Sequence, residues 1–425
     1  MIEPNFYDEN NKSKSEKYIS EKLKDLLIQA NRFSPYYKKV FEACDVNFDN
    51  RSTHSEILKS FNKIKFLDKD LIRENHENII CENAKDTYIN TSGGSTGEPV
   101  VFLQDLDFRK DADATRDFVY SKRGFVKGNK LVKIWGAERD TYSGRRAYID
   151  LIKDVIKNRR IHNSFLLNKP QSKKIFNNLM RFKPKLVVAY SQSLYEITKL
   201  LDDSYPLSKG IVGAIHTSAG VLKPHMRIRI EEFFSAPVYD HYGSREVSSI
   251  ASQFEHDGDY IGLSHFNLVE IVDKNGNPVE PGQVGDVVVT NLSNKAMPLI
   301  RYKIGDRARL SYNSQSYLLP KLESIIGRTV DIFLAQNGDH IDGEYFTHLL
   351  YHIDSIRKFQ IIQISDSLVE YRIDAKNKLN KNLEDEIKNK SKLVLGEKCN
   401  IKFVYSSDFT TTSTGKHRYT ISNLL

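Results

Sequence analysis

The amino-acid sequence predicts an α/β fold, in which a large N-terminal domain of α/β layers with a small β-rich subdomain precedes a small α+β C-terminal domain. Between residues 131 and 239, short apolar runs alternate with helical patterns, as in parallel strands that crossover helices connect. From about residue 260 to 326, strand patterns separated by turn residues predict an antiparallel sheet or a small barrel. The remaining C-terminal residues follow a β-β-α-β pattern, whose length suits a separate domain.

The N-terminal part is predicted to be largely helical. Residues 20–30 form an amphipathic pattern with Leu23, Leu26 and Leu27 on one face, and Ser34-Pro35 ends that helix. Residues 61–74 predict a loop that leads into a helix, with Lys and Asp alternating on its exposed side. Strands are expected over 86–90 and 100–103, and a helix over 105–122.

Strands and helices then alternate along the chain. The expected strands are 131–136, 186–190, 211–215 and 238–239, and the expected helices are 148–158, 170–181, 194–201 and 223–234. Residues 268–273 and 285–290 predict a hairpin. In the C-terminal part, strands are expected over 359–364, 368–373 and 401–405 and a helix over 383–393, with a candidate hinge at 327–331.

The composition fits a soluble globular protein, because 40% of the 425 residues are hydrophobic and 11% are aromatic. No apolar run is long enough for a bilayer and the N-terminus lacks a signal-peptide layout, so we expect a cytoplasmic protein without a membrane partner. The three cysteines predict neither a disulfide framework nor a metal site. The net charge of +8 arises from interspersed residues, so nucleic acid is not expected as a partner. We expect a monomer or homodimer.

A loop rich in glycine and hydroxyl side chains is the first candidate functional motif. It consists of Thr91, Ser92, Gly93, Gly94, Ser95, Thr96 and Gly97. Such a loop can hold polyphosphate oxygens through backbone N–H and hydroxyl donors. It differs from a Walker A loop because it lies between two predicted strands and carries no Gly-Lys-Ser/Thr. On its own, the loop is compatible with phosphate binding and with a flexible surface turn.

Four further motifs follow in a definite order. They are Asp240-His241-Tyr242-Gly243-Ser244-Arg245-Glu246 after a predicted strand, the run from Pro298 to Asp306, Gly327-Arg328, and Ser413-Thr414-Gly415-Lys416-His417-Arg418. With the glycine-rich loop, this order resembles the adenylate-forming (AMP-forming ligase) superfamily over nearly the whole chain. Within that superfamily the chain is most similar to the branch of phenylacetate–CoA ligases and CapK-like proteins. The Ser34-Pro35-Tyr36-Tyr37 run is part of the likeness.

The resemblance implies an adenylation domain over residues 1–328 and a mobile lid domain over 329–425 that carries the catalytic lysine. It implies that residues 91–97 bind the β- and γ-phosphates of ATP. Tyr242, between His241 and Gly243, resembles the aromatic residue that stacks on adenine. Asp240 resembles the acceptor of the adenine amino group. The segment that lines the purine is expected to be Ser218, Ala219 and Gly220.

Four charged residues complete the implied nucleotide site. Glu246 resembles the Mg²⁺ ligand, and Mg²⁺ prefers one or two carboxylates with phosphate oxygens and water. Asp306 resembles the carboxylate that accepts both ribose hydroxyls. Arg328 resembles the hinge arginine that reaches the ribose or phosphate. Lys416 resembles the catalytic lysine that enters the site in the adenylating pose. The lysine that often follows the phosphate loop is missing.

The resemblance implies that the acid pocket is formed by residues between the phosphate loop and Tyr242. Its candidates are Trp135, Arg139, Tyr190 and His216. We expect ATP and Mg²⁺ as cofactors, coenzyme A as the acceptor and no structural zinc. Transfer to an amine or hydroxyl in capsule polysaccharide or natural-product biosynthesis stays open. Two other possibilities also stay open, namely AMP transfer to a phenolic cofactor and a role as a non-catalytic nucleotide-binding regulator.

Overall fold

The computed structural model describes residues 3, 5–46, 48–49, 51–91, 100–135, 154, 156–164, 166–201, 205, 210–326, 332–350, 353, 355–410 and 419–424. The chain divides into two compact units. Unit 1 comprises Met1–Ser92, Val100–Lys122 and His241–Gly327, and unit 2 comprises Gly93–Pro99, Arg123–Asp240 and Arg328–Leu425. The mixed α/β architecture confirms the predicted fold class.

Helices form the N-terminal part of unit 1, as predicted. They are α1 (Lys12–Phe33), α2 (Pro35–Ala43), α3 (His54–Lys63), α4 (Lys69–Glu74), α5 (His76–Ile79) and α6 (Leu106–Ser121). The hydroxyl of Ser34 accepts a hydrogen bond from the N–H of Tyr37, and Pro35 occupies the first turn of α2. Thr53 and Glu56 form a capping box at α3. These caps explain where α1 ends and the next helices begin.

The strands of unit 1 form a hairpin and an antiparallel sheet. The hairpin consists of β1 (Thr87–Thr91) and β2 (Val101–Asp105). The sheet contains β8 (Val238–Ser244), β9 (Ser248–Gln253), β10 (Tyr260–Gly262), β11 (Asn267–Val272), β12 (Val284–Asn291), β13 (Tyr302–Leu310) and β14 (Lys321–Ile326). Its strand order is β8-β9-β10-β14-β13-β12-β11. The antiparallel sheet predicted for residues 260–326 is therefore confirmed.

The core of unit 1 contains a buried ion pair. Arg301, which has a positive φ of 49°, donates from Nη2 to Glu270 Oε1 at 2.9 Å and from Nε to Oε2 at 3.2 Å. Its Nη1 donates to the carbonyl oxygens of Asn62 and Ile64 at 2.9 Å. The hydroxyl of Tyr317 donates to Glu270 at 2.7 Å. Both charged groups are buried, and each is hydrogen-bonded to the other and to neighbouring groups. Buried charges are tolerated when they are paired and hydrogen-bonded in this way.

A buried histidine joins the N-terminal segment of unit 1 to α6. Thr115 Oγ1 donates to the carbonyl of Asp111 at 2.7 Å, so it accepts from His265 Nε2 at 3.0 Å. His265 Nδ1 then accepts from the hydroxyl of Tyr7 at 2.5 Å. Burial lowers the pKa of His265 to about 3 and raises the pKa of Tyr7. The neutral imidazole therefore bridges two hydroxyl groups.

We expect this histidine to make the protein sensitive to acid. The unfolded chain takes up the proton at an ordinary histidine pKa, whereas the folded chain resists it until about pH 3. The contribution of this group to the free energy of unfolding is therefore complete above pH 6.5 and decreases as the pH falls towards 3, by at most about 5 kcal/mol. Urea unfolding across this range measures the slope. His265→Asn should reduce this dependence of the free energy of unfolding on pH, whereas His256→Asn, at an exposed position, should not. Equal slopes in the wild type and both variants would contradict the role assigned to His265.

In unit 2, a parallel sheet carries helices between its strands. The strands are β3 (Leu131–Trp135), β4 (Arg159–Asn163), β6 (Leu186–Tyr190) and β7 (Ala214–Ser218), in the order β4-β3-β6-β7-β8. The helices are α7 (Lys169–Phe182), α8 (Ser191–Leu201) and α9 (Pro224–Phe234). The chain passes from unit 2 to unit 1 within β8, after Asp240.

Two strand predictions in this region need correction. The strand expected at 211–215 is Ala214–Ser218, because the N–H of Gly213 bonds to Pro184 ahead of the ladder and pairing with β6 starts at Ala214. The strand expected at 238–239 continues to Ser244, since residues 241–244 pair with β9. The helix expected over 148–158 lies mostly outside the described residues.

The C-terminal part of unit 2 contains two small sheets. The first pairs β5 (Leu166–Leu167), β16 (His340–Asp342) and β15 (Ile332–Leu334). The second has the order β19-β18-β17-β20, from β17 (Ile356–Ser365), β18 (Leu368–Ala375), β19 (Asn400–Tyr405) and β20 (Thr420–Ser422). With α10 (Glu344–His348) and α11 (Lys381–Leu395), this confirms the β-β-α-β pattern. In the described part of the chain, no helix has the length and apolarity needed to cross a membrane.

Candidate active site

Two of the three described residues of the predicted acid pocket lie at the ends of parallel strands in unit 2. β3 ends at Trp135 and β6 ends at Tyr190, and these strands are neighbours. The two ring centroids are 4.1 Å apart, with an angle of 54° between the ring planes. His216 lies inside the neighbouring β7 and is buried. The structure thus brings Trp135 and Tyr190 together at the carboxyl edge of an α/β sheet, where ligands commonly bind.

The predicted purine-lining segment follows the last residue of β7. Ser218 is paired with Tyr190 in the ladder, and Ala219 has a positive φ of 63°, so the backbone turns sharply there. The hydroxyl of Ser191, at the start of α8, donates to the carbonyl of Gly220 at 3.3 Å. A Cβ at Gly220 would meet no atom of the described residues within 4 Å. The hydrogen bond from Ser191 therefore holds this turn at one end.

Asp240 occupies the last position of β8 that belongs to unit 2. Its side chain is buried, and its Oδ1 accepts a hydrogen bond from the hydroxyl of Thr217 at 2.7 Å. Thr217 lies opposite Asp240 in the ladder between β7 and β8. The hydroxyl fixes the orientation of the carboxylate, which suits the predicted role of accepting a hydrogen bond from an amino group.

In unit 1, two of the predicted nucleotide-binding residues contact each other. The hydroxyl of Tyr242 donates to Asp306 Oδ2 at 3.0 Å, although the residues are 64 positions apart. Gly305 has a positive φ of 92°, next to a register irregularity between β12 and β13. A Cβ at Gly243 would approach the carbonyl oxygen of Ser248 to 2.6 Å, so glycine is required there. This contact joins the second and third motifs of the sequence, while His241 pairs with Ser252 beside them.

Glu246, the predicted Mg²⁺ ligand, lies beside a cation that the sequence analysis missed. Its Oε1 is 3.6 Å from Lys69 Nζ, and both side chains are buried. Lys69 was assigned to the exposed side of its helix, which is wrong. It is the first residue of α4, and the alternation of Lys and Asp gave no sign that one lysine faces inwards.

Two amides hold the turn that carries Glu246. Gln104 Nε2 donates to the carbonyl oxygens of Arg245 and Glu246, each at 3.1 Å. Asn90 Nδ2 donates to Gln104 Oε1 at 3.1 Å, and Asn90 Oδ1 accepts from the N–H of Thr91 at 2.9 Å. The hairpin that leads into the glycine-rich loop is thereby bonded to the Glu246 turn. Sequence reasoning missed both amides because single Asn and Gln residues form no motif.

A single buried carboxylate fits a Mg²⁺ ion that takes its other ligands from nucleotide phosphates and water. No cluster of three metal-ligating side chains occurs among the residues that the structure describes. Glu246 therefore suits a metal that arrives with the nucleotide. The remaining predicted site residues lie outside the described residues, namely Ser92, Gly93, Gly94, Ser95, Thr96, Gly97, Arg139, Arg328 and Lys416.

Comparisons with known proteins identify sequences and structures to which this chain is similar. Residues 333–423 match the family described as the CapK C-terminal domain. The chain is 24% identical over 409 residues to protein CapK of Staphylococcus aureus, covering 93% of this chain and 89% of CapK. It is 25% identical to a phenylacetate–coenzyme A ligase of Aromatoleum evansii, over 74% of this chain and 71% of the ligase.

A solved structure extends the likeness to the fold. The structure of 2-hydroxyisobutyryl-CoA ligase with 2-HIB-AMP and CoA, in the thioesterification state, aligns with a TM-score of 0.62 and 17% identity. It covers 97% of this chain and 90% of the ligase. The chain has the fold of the adenylate-forming enzymes. In sequence, it is similar to CapK and to the phenylacetate–CoA ligases, and its C-terminal residues match the CapK C-terminal family model.

Proposed function

We propose that this protein activates a carboxylic acid with ATP and then transfers the acyl group to coenzyme A. In the first step, a carboxylate oxygen attacks the α-phosphorus of ATP, and the bond to the pyrophosphate oxygen breaks. In the second step, the thiolate of coenzyme A attacks the acyl carbon and AMP leaves. The observation that carries the proposal is the bond between Tyr242 and Asp306, which joins two motifs of the superfamily.

We assign recognition of the nucleotide to residues that the resemblance to the superfamily selects. Tyr242 stacks on adenine while its hydroxyl orients Asp306, whose other oxygen then accepts from the ribose hydroxyls. Asp240, oriented by Thr217, accepts from the adenine amino group. The purine is lined by Ser218, Ala219 and Gly220. Each contact fixes the α-phosphorus in place, and such positioning supplies much of the rate in phosphoryl transfer.

The phosphates are held by hydroxyl groups, backbone N–H groups and cations. Residues 91–97 bind the β- and γ-phosphates, in the loop to which Asn90 and Gln104 lead. Glu246 would hold Mg²⁺, which supplies neutralisation of the phosphate charge when bound. The ammonium of Lys69, whose Nζ is 3.6 Å from Glu246 Oε1, holds the carboxylate in place. Lys416 contacts the α-phosphate and the attacking carboxylate, with Arg328 at the hinge.

The acid lies against Trp135 and Tyr190, whose rings are in contact at the ends of β3 and β6. This pair favours an acid with an aromatic or apolar body. His216 and Arg139 complete the proposed pocket. The C-terminal residues 329–425 act as a lid that adopts one pose for each half-reaction. We place the enzyme in the cytoplasm, as a monomer or homodimer.

The test is ATP–pyrophosphate exchange that depends on an added acid, without coenzyme A. Aryl acids, aliphatic acids, amino acids and uronic acids are compared. We expect exchange with one class of acid, followed by thioester formation when coenzyme A is added. ATP binding without exchange for any acid would contradict the proposal and favour AMP transfer to a phenolic hydroxyl.

A second candidate is transfer of the acyl group to an amine or hydroxyl during capsule polysaccharide or natural-product biosynthesis. It is favoured because the match to CapK covers 93% of this chain, against 74% for the Aromatoleum ligase. With the acid identified by exchange, the acyl-adenylate is offered coenzyme A, amino sugars and simple alcohols. Faster consumption by an amino sugar than by coenzyme A would favour this second candidate.

Tyr242→Phe tests the nucleotide site directly. The change removes the hydroxyl that orients Asp306 but keeps the ring, so we expect the KM for ATP to rise roughly 10-fold. The KM for the acid should stay unchanged in the exchange assay. Tyr345→Phe, which removes a hydroxyl bonded to Lys390 in the C-terminal part, is the matched control. An unchanged KM for ATP in Tyr242→Phe would exclude the proposed role of the pair.

A further inference from the structure

One edge of the parallel sheet in unit 2, at which β3, β4 and β6 begin, brings together cations from separate parts of the sequence. The N–H of Lys185 donates to the carbonyl of Lys130 at 2.8 Å. Asn158 Nδ2 donates to the carbonyl of Gly128 at 3.0 Å. The three loops that precede these strands are thus bonded to one another. Their exposed side chains, with those at the end of α7, form what we call the basic edge: Val126, Lys127, Lys130, Ile156, Lys157, Met180, Arg181, Lys183 and Lys185.

The basic edge carries positive charge that acidic side chains do not balance. Between residues 156 and 185 the sequence contains nine Lys and Arg residues and no Asp or Glu. Arg159 nearby is paired with Asp154. Within the described residues, none of the six cations of the basic edge forms an ion pair with a carboxylate. Charges that are interspersed along the sequence are therefore concentrated by the fold.

Apolar side chains are exposed among these cations. Val126 is 61% exposed, Ile156 is 75% exposed and Met180 is also exposed. Val126 lies in the loop of Lys127, Ile156 precedes Lys157, and Met180 precedes Arg181 in the last turn of α7. Basic residues beside exposed aliphatic side chains are typical of surfaces that bind anionic bilayers, because the cations attract lipid phosphates while the apolar groups enter the interface.

A nucleic acid fits this surface less well. Single-stranded nucleic acids bind to exposed aromatic rings on which the bases stack. The described side chains of the basic edge include no aromatic ring. The neighbouring Phe182 is half-buried, and its ring is already contacted by Lys130 Nζ at 5.4 Å and Arg160 Cζ at 5.1 Å.

We propose that the basic edge attaches this protein to the surface of bilayers that contain anionic phospholipids. The acid-pocket residues Trp135 and Tyr190 lie at the opposite ends of β3 and β6, about 16 Å away for strands of this length. Attachment therefore leaves the carboxyl edge of the sheet facing away from the bilayer. The binding depends on the surface alone and does not require the proposed enzymatic activity.

The test is cosedimentation of the full chain with vesicles of phosphatidylcholine, with and without phosphatidylglycerol. We expect binding only to the anionic vesicles, and weaker binding as salt rises. The triple variant Lys130→Gln, Lys183→Gln, Lys185→Gln should reduce the partition coefficient about 100-fold, since each cation contributes roughly five-fold. The control Lys17→Gln, Lys38→Gln, Lys39→Gln changes the charge equally in unit 1 and should bind as the wild type does.

Two further measurements separate the alternatives. Val126→Ser with Ile156→Ser should weaken vesicle binding at unchanged charge. A single-stranded RNA oligonucleotide should bind more weakly than the anionic vesicles. No vesicle binding by the wild type, equal loss in both triple variants, or tighter binding of RNA would overturn the proposal. Acid-dependent exchange should be the same in the basic-edge variant and the wild type, so the failure of one proposal is distinguishable from the failure of the other.

Discussion

Replacing Lys416 by alanine is expected to reduce acyl-adenylate formation by about 100- to 10,000-fold, because a cation that contacts the α-phosphate stabilises charge chiefly in the transition state. The effect should appear in kcat of acid-dependent ATP–pyrophosphate exchange. The KM for ATP should change little, since the base, ribose and phosphate contacts of the other site residues persist.

The control for this variant is Lys398→Ala, which removes an exposed lysine from the same C-terminal part. It should exchange pyrophosphate at the wild-type rate. The second half-reaction gives an additional check, because Lys416→Ala supplied with a synthetic acyl-adenylate should still form the thioester. Undiminished exchange in Lys416→Ala would remove this lysine from the mechanism.

Replacing Arg301 by methionine is expected to lower the free energy of unfolding by about 3–5 kcal/mol. The change removes one partner of a buried pair and, among the described residues, leaves the carboxylate of Glu270 with only the hydroxyl of Tyr317 as a donor. Two backbone carbonyls also lose their donor. Arg301→Lys should restore little of the stability, because an ammonium cannot reproduce the planar fork.

Urea unfolding measures this loss, and a nearby arginine supplies the comparison. Arg309 lies on β13, is partly exposed and is 3.7 Å from Glu323. Arg309→Met should lower the free energy of unfolding by about 1 kcal/mol or less. The double variant Arg301→Met, Glu270→Leu should recover part of the loss, because no buried charge is then left unpaired. Equal losses in the two arginine variants would show that burial does not increase the contribution of the ion pair to the free energy of unfolding.

The sequence was sufficient for elements whose patterns are strong and local. The strand Leu186–Tyr190 was predicted with correct bounds because five buried apolar or aromatic residues follow one another between turn residues. Other strands were missed because their pairing is not encoded locally. Arg159–Asn163 has no apolar alternation and is a strand because its backbone continues the ladder of β3. Ser248–Gln253 was missed for the same reason.

For the candidate site, motifs identified residues but not their partners. Asp240, Tyr242 and Asp306 were chosen by resemblance, whereas the hydroxyl of Thr217 and the contact between Tyr242 and Asp306 appear only once the strands are paired. Lys69 was missed because its neighbours in sequence are polar, and its burial depends on Glu246, 177 positions later. Partners that are distant in sequence follow from the fold and not from any local pattern.

Trp135 is the only tryptophan of the chain, and it lies at the proposed acid pocket. Excitation of the indole therefore reports on this single position, without a label and without background from other tryptophans. Tyr190, with its ring centroid 4.1 Å away, is close enough to transfer excitation energy to it. A titration with candidate acids, followed by emission intensity and wavelength, would rank ligands in the absence of ATP, before any turnover assay has been established.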